Sequence, residues 1–428
     1  MVFLRKKVVP DRFLLSLSVA ETVRAGKTFA SLSVLQLASK PMNLRFAMIL
    51  VLVLALFAYV GWRLSESLGE SLGGPATTAI MALLFAGIGC YRLIHGFKSR
   101  RLRLFLVNTV HLEMGFLSFL FTWVVLRDLI FIPLGFINER WMNAAYTPQG
   151  TALVIVLTIL TLLTGVWIAS AGPWVVRVNV PIKDLPAELE GFTIAQLSDM
   201  HIGPTTHPDK VDRIVKKTLS LDPRMIALTG DIGDGPVSES LEALEKLRDL
   251  ARLPSYYVTG NHEYYWNGPE WIKTFASLGL QPLLNAYAVV KVGNAEVVVI
   301  GTPDPTAHML GAGFGPNVEK ASVTPIANLK SDQPAGVRKA VKVLMAHQPG
   351  ISNEAKAAGI DLQLSGHTHA GQFFPWTLVV KQVHEFSQGL GRTGSTWVYV
   401  NPGTGSWGPQ VRLGTKTEIT LLTLVKES

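Results

Sequence analysis

Every apolar stretch long enough to cross a bilayer lies before residue 173 of this 428-residue chain, and none lies after it. Crossing a hydrocarbon core takes roughly 20 residues as helix, and a chain in that medium must satisfy its backbone polar groups internally. Four stretches meet the requirement: about 46–62, 76–94, 104–137 and 151–171. The third carries Asn108, His111 and Glu113, then Arg127-Asp128 and Pro133. It is read as one helix with a kinked or interfacial end. His111 and Glu113 then lie near its cytoplasmic edge, where they reach water. The sequence therefore divides into a basic tail (1–43), a four-helix transmembrane region (44–172) and a second half (173–428).

Charge sets the orientation. The formal charge is +8, which in a soluble chain would raise the question of nucleic acid. Here the excess sits beside the apolar stretches, at Arg5, Lys6, Lys7, Arg12, Arg24, Lys27, Lys40 and Arg45, and again at Lys98, Arg100, Arg101 and Arg103. Topology and anionic lipid headgroups account for that pattern, and no nucleic-acid partner is expected. The other two loops hold only Arg63 and Arg140. Four crossings with basic loops on one side put both termini and the second half in the cytoplasm, as a multi-pass protein of the inner membrane. The tail lacks the uninterrupted apolar core and cleavage site of a signal peptide. Leu14–Val19 and Phe29–Leu37 are candidate short amphipathic helices, and Met42 is an alternative start. The single cysteine, Cys90, lies in an apolar run, so neither an internal disulfide nor a thiolate metal cluster is available.

From Pro173 onward, strand-like and helix-like runs alternate. Strands are expected at Phe192–Ser198, Met225–Thr229, Tyr256–Thr259, Glu296–Ile300, Val343–Ala346 and Leu362–Leu364, with helices at Pro208–Leu219 and Ser240–Ala251. This predicts an α/β domain with the loops after its strands gathered at one rim. Thr396–Val400 and Glu418–Leu424 are strand-like without an intervening helix and should close the sheet system from the other side.

Polar dipeptides follow these apolar runs in a fixed order: Asp199-Met200-His201, Gly230-Asp231, Gly260-Asn261-His262, His347, and Gly366-His367-Thr368-His369. Asp199 and His201 are two apart at a strand's end, so both can face one ion. His367 and His369 repeat that spacing, with a glycine before them to let the backbone turn. Asp231 has two carboxylate oxygens with which to bridge two ions, and Asn261 offers a neutral carbonyl oxygen. His262 adjoins a ligand yet is free to act as an acid. The donors are all nitrogen and oxygen, which suits Mn, Fe, Zn, Co or Ni better than calcium. Two divalent ions lower the pKa of a bridging water and neutralise phosphoryl oxygens, the two needs of phosphoester hydrolysis.

In this order the motifs resemble the calcineurin-like metallophosphoesterase superfamily over about residues 190–425. Gly366–Gln372 and the tail around Arg412-Leu413 look like its bacterial membrane-associated branch, with Ala370 where glycine is more usual. The resemblance implies an αββα double-sheet sandwich. It implies that Asp199, His201, Asp231 and His369 hold one divalent ion, and that Asp231, Asn261, His347 and His367 hold the other. His262 is implied to stand near the leaving group as proton donor or transition-state stabiliser.

Other residues carry weaker signals. Asp234 either orients a ligand from behind or caps its turn, and the sequence leaves both open. Glu263 is expected to anchor its loop, and Asp304 to be structural. His207, His308 and His384 match no motif. Tyr264-Tyr265-Trp266 either pack or offer a stacking surface. The reading is a membrane-anchored, two-metal phosphohydrolase that uses a metal-bound hydroxide. Its substrate is a phosphodiester or pyrophosphate: lipid-linked, of which UDP-diacylglucosamine is one instance, or a soluble nucleotide diester. Membrane lipids are the expected partner. The alternative is a membrane sensor or scaffold with a vestigial domain, which has no need to keep eight such residues together.

Overall fold

The structure, a computed structural model, describes residues 44–68, 73–89, 91–94, 96–311, 314–322 and 340–427. The basic tail, its two candidate amphipathic helices, Met42 and Cys90 lie outside the described residues. In the first half the long helices are α1 (Leu44–Leu68), α2 (Gly73–Gly89), α3 (Arg100–Ile137) and α4 (Pro148–Ala171). Among the described residues, α3 and α4 alone are both long and apolar enough to cross a membrane. Two of the four expected stretches meet that test among the described residues. Within the 76–94 stretch, the residues up to Gly89 and those from Tyr91 to Ile94 are helical.

Helix α3 is a single helix of 38 residues that runs on past Pro133. Ser99 starts it by accepting the Leu102 N–H at its hydroxyl. Thr147 and Pro148 start α4 in the same way, a side-chain cap followed by proline at a position whose N–H has no helical partner. The two pack side by side, with the Trp123 indole N–H donating to Thr161 Oγ1 at 3.0 Å.

The second half is built on two six-stranded sheets. The first has the order β1 (Trp174–Ile182), β12 (Glu418–Lys426), β2 (Thr193–Leu197), β3 (Met225–Thr229), β4 (Ser255–Val258) and β5 (Gln281–Pro282). The second has the order β10 (Gly389–Thr393), β11 (Thr396–Val400), β9 (Leu362–Ser365), β8 (Ala340–Met345), β7 (Ala295–Gly301) and β6 (Ala286–Val292). Strand alternation sends Ile194, Met225 and Val258 inward against Val297, Val343 and Leu362 of the other sheet. The intervening residues face outward. Ala195, Ile226 and Leu228 pack under α5 (Pro208–Leu219) and α7 (Gly268–Ser277), while Val298, Ile300 and Leu344 do the same on the far sheet. The layers are helix, sheet, sheet, helix.

Two expectations change here. The run Ser240–Ala251 is not one α-helix. A short α-turn, Leu241–Glu245, passes into a 3-10 helix, Lys246–Arg252. Leu244, Leu247 and Leu250 are all buried, and their spacing of three puts them in line when the helix has three residues per turn. The two final strands do not close one side together. β11 pairs with β9 in the second sheet, while β12 enters the first between β1 and β2, antiparallel to β2.

Candidate metal centre

Each candidate side chain stands in the segment just after a strand: Asp199 and His201 after β2, Asp231 after β3, Asn261 and His262 in the first helical turn after β4, His347 after β8, His367 and His369 after β9. Because β2, β3 and β4 adjoin in one sheet and β8 and β9 in the other, these loops meet at one rim of the sandwich. They are tied backbone to backbone. The Asp199 N–H donates to Gly230 O, the His201 N–H to Asp231 O, and the Gly366 N–H to His347 O, at 3.0, 3.0 and 2.9 Å.

Left-handed backbone, more than strand geometry, aims the side chains. Asp199, His201, Asp231, His367 and His369 have φ of 51°, 47°, 50°, 72° and 48°. Non-glycine residues adopt this region at a cost of about 1–2 kcal/mol each, and such strain persists where the surroundings over-determine it. β2 ends at Leu197, so Asp199 and His201 do not share an extended strand's face as their spacing suggested. The role expected of Gly366 also changes. A Cβ there would lie 2.0 Å from Ser198 Oγ and 2.2 Å from Asp199 Oδ2. The glycine permits close approach, and the turn falls on the histidines that follow. Gly260 does the same for Asp231, whose Oδ1 would be 2.1 Å from an added Cβ.

The ligand-type atoms fall into three groups, one of them His201, Asp234 and His262, and the other two hold the expected ligands. In one, Asp199, His201 and His369 place their atoms within 4.8 Å of one another; in the other, Asp231, His347 and His367 do so. His201 Nε2 lies 3.0 Å from His369 Nε2, and His367 Nδ1 lies 3.2 Å from His347 Nε2. His347 Nδ1 donates to Thr229 O, 2.8 Å away, and its Nε2 faces Asp231 Oδ2 at 3.2 Å; burial opposes a charge on the ring, and Asp231 outweighs it and raises its pKa. Burial, then the neighbouring His347, lowers the His367 pKa to about 3. Burial, His201 and Arg412 likewise hold His369 well below the ordinary histidine range. Both imidazoles are therefore neutral donors. Asn261 Oδ1 is buried and meets no hydrogen-bond donor among the described residues. Converging imidazole lone pairs, two buried carboxylates and an orphaned carbonyl oxygen fit divalent cations.

A ring of other side chains holds these in place. Asp199 accepts the His367 N–H at 3.1 Å, and Asp231 Oδ1 accepts the His262 N–H at 2.8 Å. Glu263, fully buried, accepts the backbone N–H groups of Gly260, Asp231 and Gly233 at 2.7, 3.2 and 2.9 Å. That is the anchoring role expected of it. Asp234 resolves toward orientation: its Oδ2 lies 3.4 Å from His201 Nδ1, and its Oδ1 lies 3.1 Å from His262 Nδ1 and accepts the Trp266 indole N–H. Burial opposes a charged His262. Asp234 and then Asp231 outweigh it and raise that histidine to about 9. Asp304 accepts from the Thr306 N–H and Gln348 Nε2 and is structural. Among the histidines without a motif, His207 caps α5 and His308 is exposed. His384 lies ring to ring 6.2 Å from His367.

Three features stood in stretches noted in the sequence, but their roles were not assigned from it. Arg412 is fully buried and donates to His369 O, Pro402 O and Gly405 O at 3.1, 2.8 and 2.5 Å. Gln372 holds the loop before it by donating to Trp407 O and Pro409 O at 2.9 and 2.8 Å. The third is α3 itself. Its Arg103, Leu104, Val107 and His111 line a cleft whose opposite wall includes His201, Asp234 and Trp266. His111 therefore faces the rim of the metal centre, a placement that the expected edge-of-membrane reading did not include.

The calcineurin-like phosphoesterase family matches residues 192–371. A zebrafish (Danio rerio) transmembrane protein with metallophosphoesterase domain is 35% identical over 81% of this chain and 80% of its own length. A bovine (Bos taurus) protein of the same description is 35% identical over 64% of this chain and 62% of its own length. An uncharacterised metallophosphoesterase of Campylobacter jejuni is 30% identical over 63% of this chain and 68% of its own. Relatives occur in vertebrates as well as in bacteria, so the family stands without the bacterial branch expected within it.

Proposed function

The chain belongs to the calcineurin-like phosphoesterase family, and on that premise we propose that it is a membrane-anchored, two-metal phosphohydrolase acting on a phosphodiester or pyrophosphate. The observation that carries this reading is the pair of adjoining donor groups, Asp199/His201/His369 and Asp231/His347/His367. Asp231 would bridge the two ions, and Asn261 would complete the second set. Two divalent ions bound there supply Lewis acidity, activating water and neutralising phosphoryl oxygens. The protein's own part is to position and to move a proton. His262, held by Asp234, carries the proton for the departing oxygen. Trp266 and the α3 wall narrow the approach on one side.

Anchoring is supported by α3 and α4 and by the description of the zebrafish and bovine relatives as transmembrane proteins. The basic start of α3, Lys98 to Arg103, lies on the catalytic domain's side, since Arg103 pairs with Glu239 at 2.5 Å. The α3–α4 connection carries only Arg140. That asymmetry favours a cytoplasmic catalytic domain. The full chain, purified in detergent and supplied with Mn²⁺, is expected to hydrolyse bis(p-nitrophenyl) phosphate, and His367→Ala to abolish turnover. An unchanged rate in His367→Ala would overturn the site. Wild-type protein that takes up no metal would favour the vestigial scaffold instead.

A further inference from the structure

The rim of the metal centre carries apolar side chains that the catalytic domain leaves uncovered. Helix α8 (Trp376–Val383) buries Thr377 but leaves Trp376, Leu378, Val379 and Val383 exposed at 46, 55, 48 and 71%. Trp407, on the loop before β12, is 48% exposed. Both lie beside the proposed chemistry. His384 follows α8 directly and sits 6.2 Å from the His367 ring, and the Trp407 ring is 6.2 Å from that of His262.

The same two elements are fastened to the apolar helices. The Trp376 indole N–H donates to Ser118 Oγ of α3 at 2.9 Å. Phe373 packs on Phe119, with ring centroids 5.4 Å apart. The Arg412 N–H donates to Gly165 O of α4 at 2.9 Å, and Val411 is buried among Phe119, Leu162 and Val166. These contacts fix a depth. From Ser118 to the end of α3 there are about 20 residues, roughly 30 Å of helix, the thickness of a bilayer core. The earlier turns of α3 lie on the catalytic domain, through Arg103 and the cleft wall. A bilayer that holds α3 therefore has its surface at the level of Ser118, which is the level of α8. The exposed set is of the interfacial kind: tryptophans and aliphatics, with Lys381 among them to meet phosphate.

We propose that α8 and Trp407 lie in the headgroup layer, so that the metal centre takes its phosphoester from a lipid of the membrane that anchors it. The proposal rests on the two-metal, membrane-anchored reading and narrows its substrate class to lipid-borne phosphoesters.

The test uses the full chain reconstituted into vesicles of phosphatidylcholine and phosphatidylglycerol, with two substrates that share a leaving group. One is phosphatidyl-p-nitrophenol in the bilayer; the other is bis(p-nitrophenyl) phosphate in solution. In each, water's oxygen bonds to phosphorus, the bond to the p-nitrophenyl oxygen breaks and a proton is released, giving p-nitrophenolate with phosphatidate or p-nitrophenyl phosphate. The triple variant Leu378→Ser, Val379→Ser, Val383→Ser is expected to lose about tenfold or more on the bilayer substrate, given the apolar area it withdraws from lipid. Its rate on the soluble diester should match the wild type, which also shows that the variant is folded. Equal rates of variant and wild type on the bilayer substrate overturn the proposal, as does an equal loss on both substrates. Wild type inert toward both substrates with Mn²⁺ bound overturns the phosphohydrolase reading itself. A second measurement bypasses turnover: a fluorophore on Leu378→Cys, in a Cys90→Ser background, should be quenched by spin-labelled lipid. Quenching by aqueous iodide alone would place α8 in water and sink the idea.

Discussion

Asp234 sits behind two imidazoles, and its charge decides how one of them behaves. With its Oδ1 3.1 Å from His262 Nδ1, it keeps that ring protonated up to about 9. A proton donor works while it holds its proton, so the rate should fall as pH rises through that value. Asp234→Asn removes the first of the carboxylates that raise it. The alkaline limb of kcat/KM should move to lower pH, and the rate should drop about 10–100-fold, the usual cost of losing a residue that orients a metal-site histidine. A pH profile at saturating Mn²⁺ checks this, and an unmoved limb would exclude His262 as the acid. Gly366→Ala is a second residue-scale prediction. Its Cβ would fall 2.2 Å from Asp199 Oδ2, so Asp199 must move, and metal content by mass spectrometry should fall while the sheets still fold. Residue identity was legible in the sequence wherever chemistry dictates type. The Asp, Asn and His set is such a case, because few side chains donate lone pairs to a cation. The role of Arg412 was not legible, although the residue lies in the tail that carries the family resemblance. Its three carbonyl partners come from loops that only the tertiary fold brings together, and nothing local distinguishes it from a surface arginine. Nor was the strain at His201 and His369, since left-handed backbone at a non-glycine residue leaves no mark in composition.

At the scale of elements, period and strand ends were readable because most strands here are buried on both faces and appear as short apolar runs. Met225–Thr229 and Thr396–Val400 occupy the expected positions, and α5 spans its expected twelve residues, with Val211, Ile214 and Val215 buried. β1 escaped because it alternates weakly and stands at the sheet's edge, Trp174 and Val176 exposed. The insertion of β12 between β1 and β2 is a long-range pairing that no local pattern encodes. Ser240–Ala251 was misjudged because leucines three apart satisfy an α-helical face almost as well as a 3-10 one. Between elements, Glu263 ties the start of the short helix α6 (Asn261–Trp266) to the loop after β3 through three backbone N–H groups. Glu263→Gln turns an amide donor toward at least one of those donors inside a fully buried space. Loss of a buried, hydrogen-bonded charge costs on the order of 3 kcal/mol. The variant should melt several degrees lower and bind Mn²⁺ more weakly, both measurable on detergent-solubilised protein. A melting temperature equal to the wild type would show that the loop is held by something else.

For the whole molecule, the decisive contact is the one that makes α3 both a membrane helix and a wall of the catalytic cleft. Counting crossings from sequence left the side of the catalytic half hostage to how many helices precede it. The structure removes that dependence. Arg103, at the basic end of α3, pairs with Glu239 of the catalytic domain, and α4 leads from Ala171 straight to β1 at Trp174. The domain is therefore on whichever side the basic end of α3 occupies, whatever α1 and α2 do. The proposed cytoplasmic side rests on Lys98, Arg100, Arg101 and Arg103 against Arg140 alone at the other end. A cysteine introduced by Glu427→Cys in a Cys90→Ser background should resist a membrane-impermeant maleimide in intact cells and react once the membrane is opened. One introduced by Asn143→Cys, beyond the far end of α3, should react in intact cells. Reversed labelling would overturn the orientation and leave the metal centre untouched. Loss of both signals in intact cells would mean that α3 and α4 do not cross, and that the apolar helices serve the catalytic domain as packing alone.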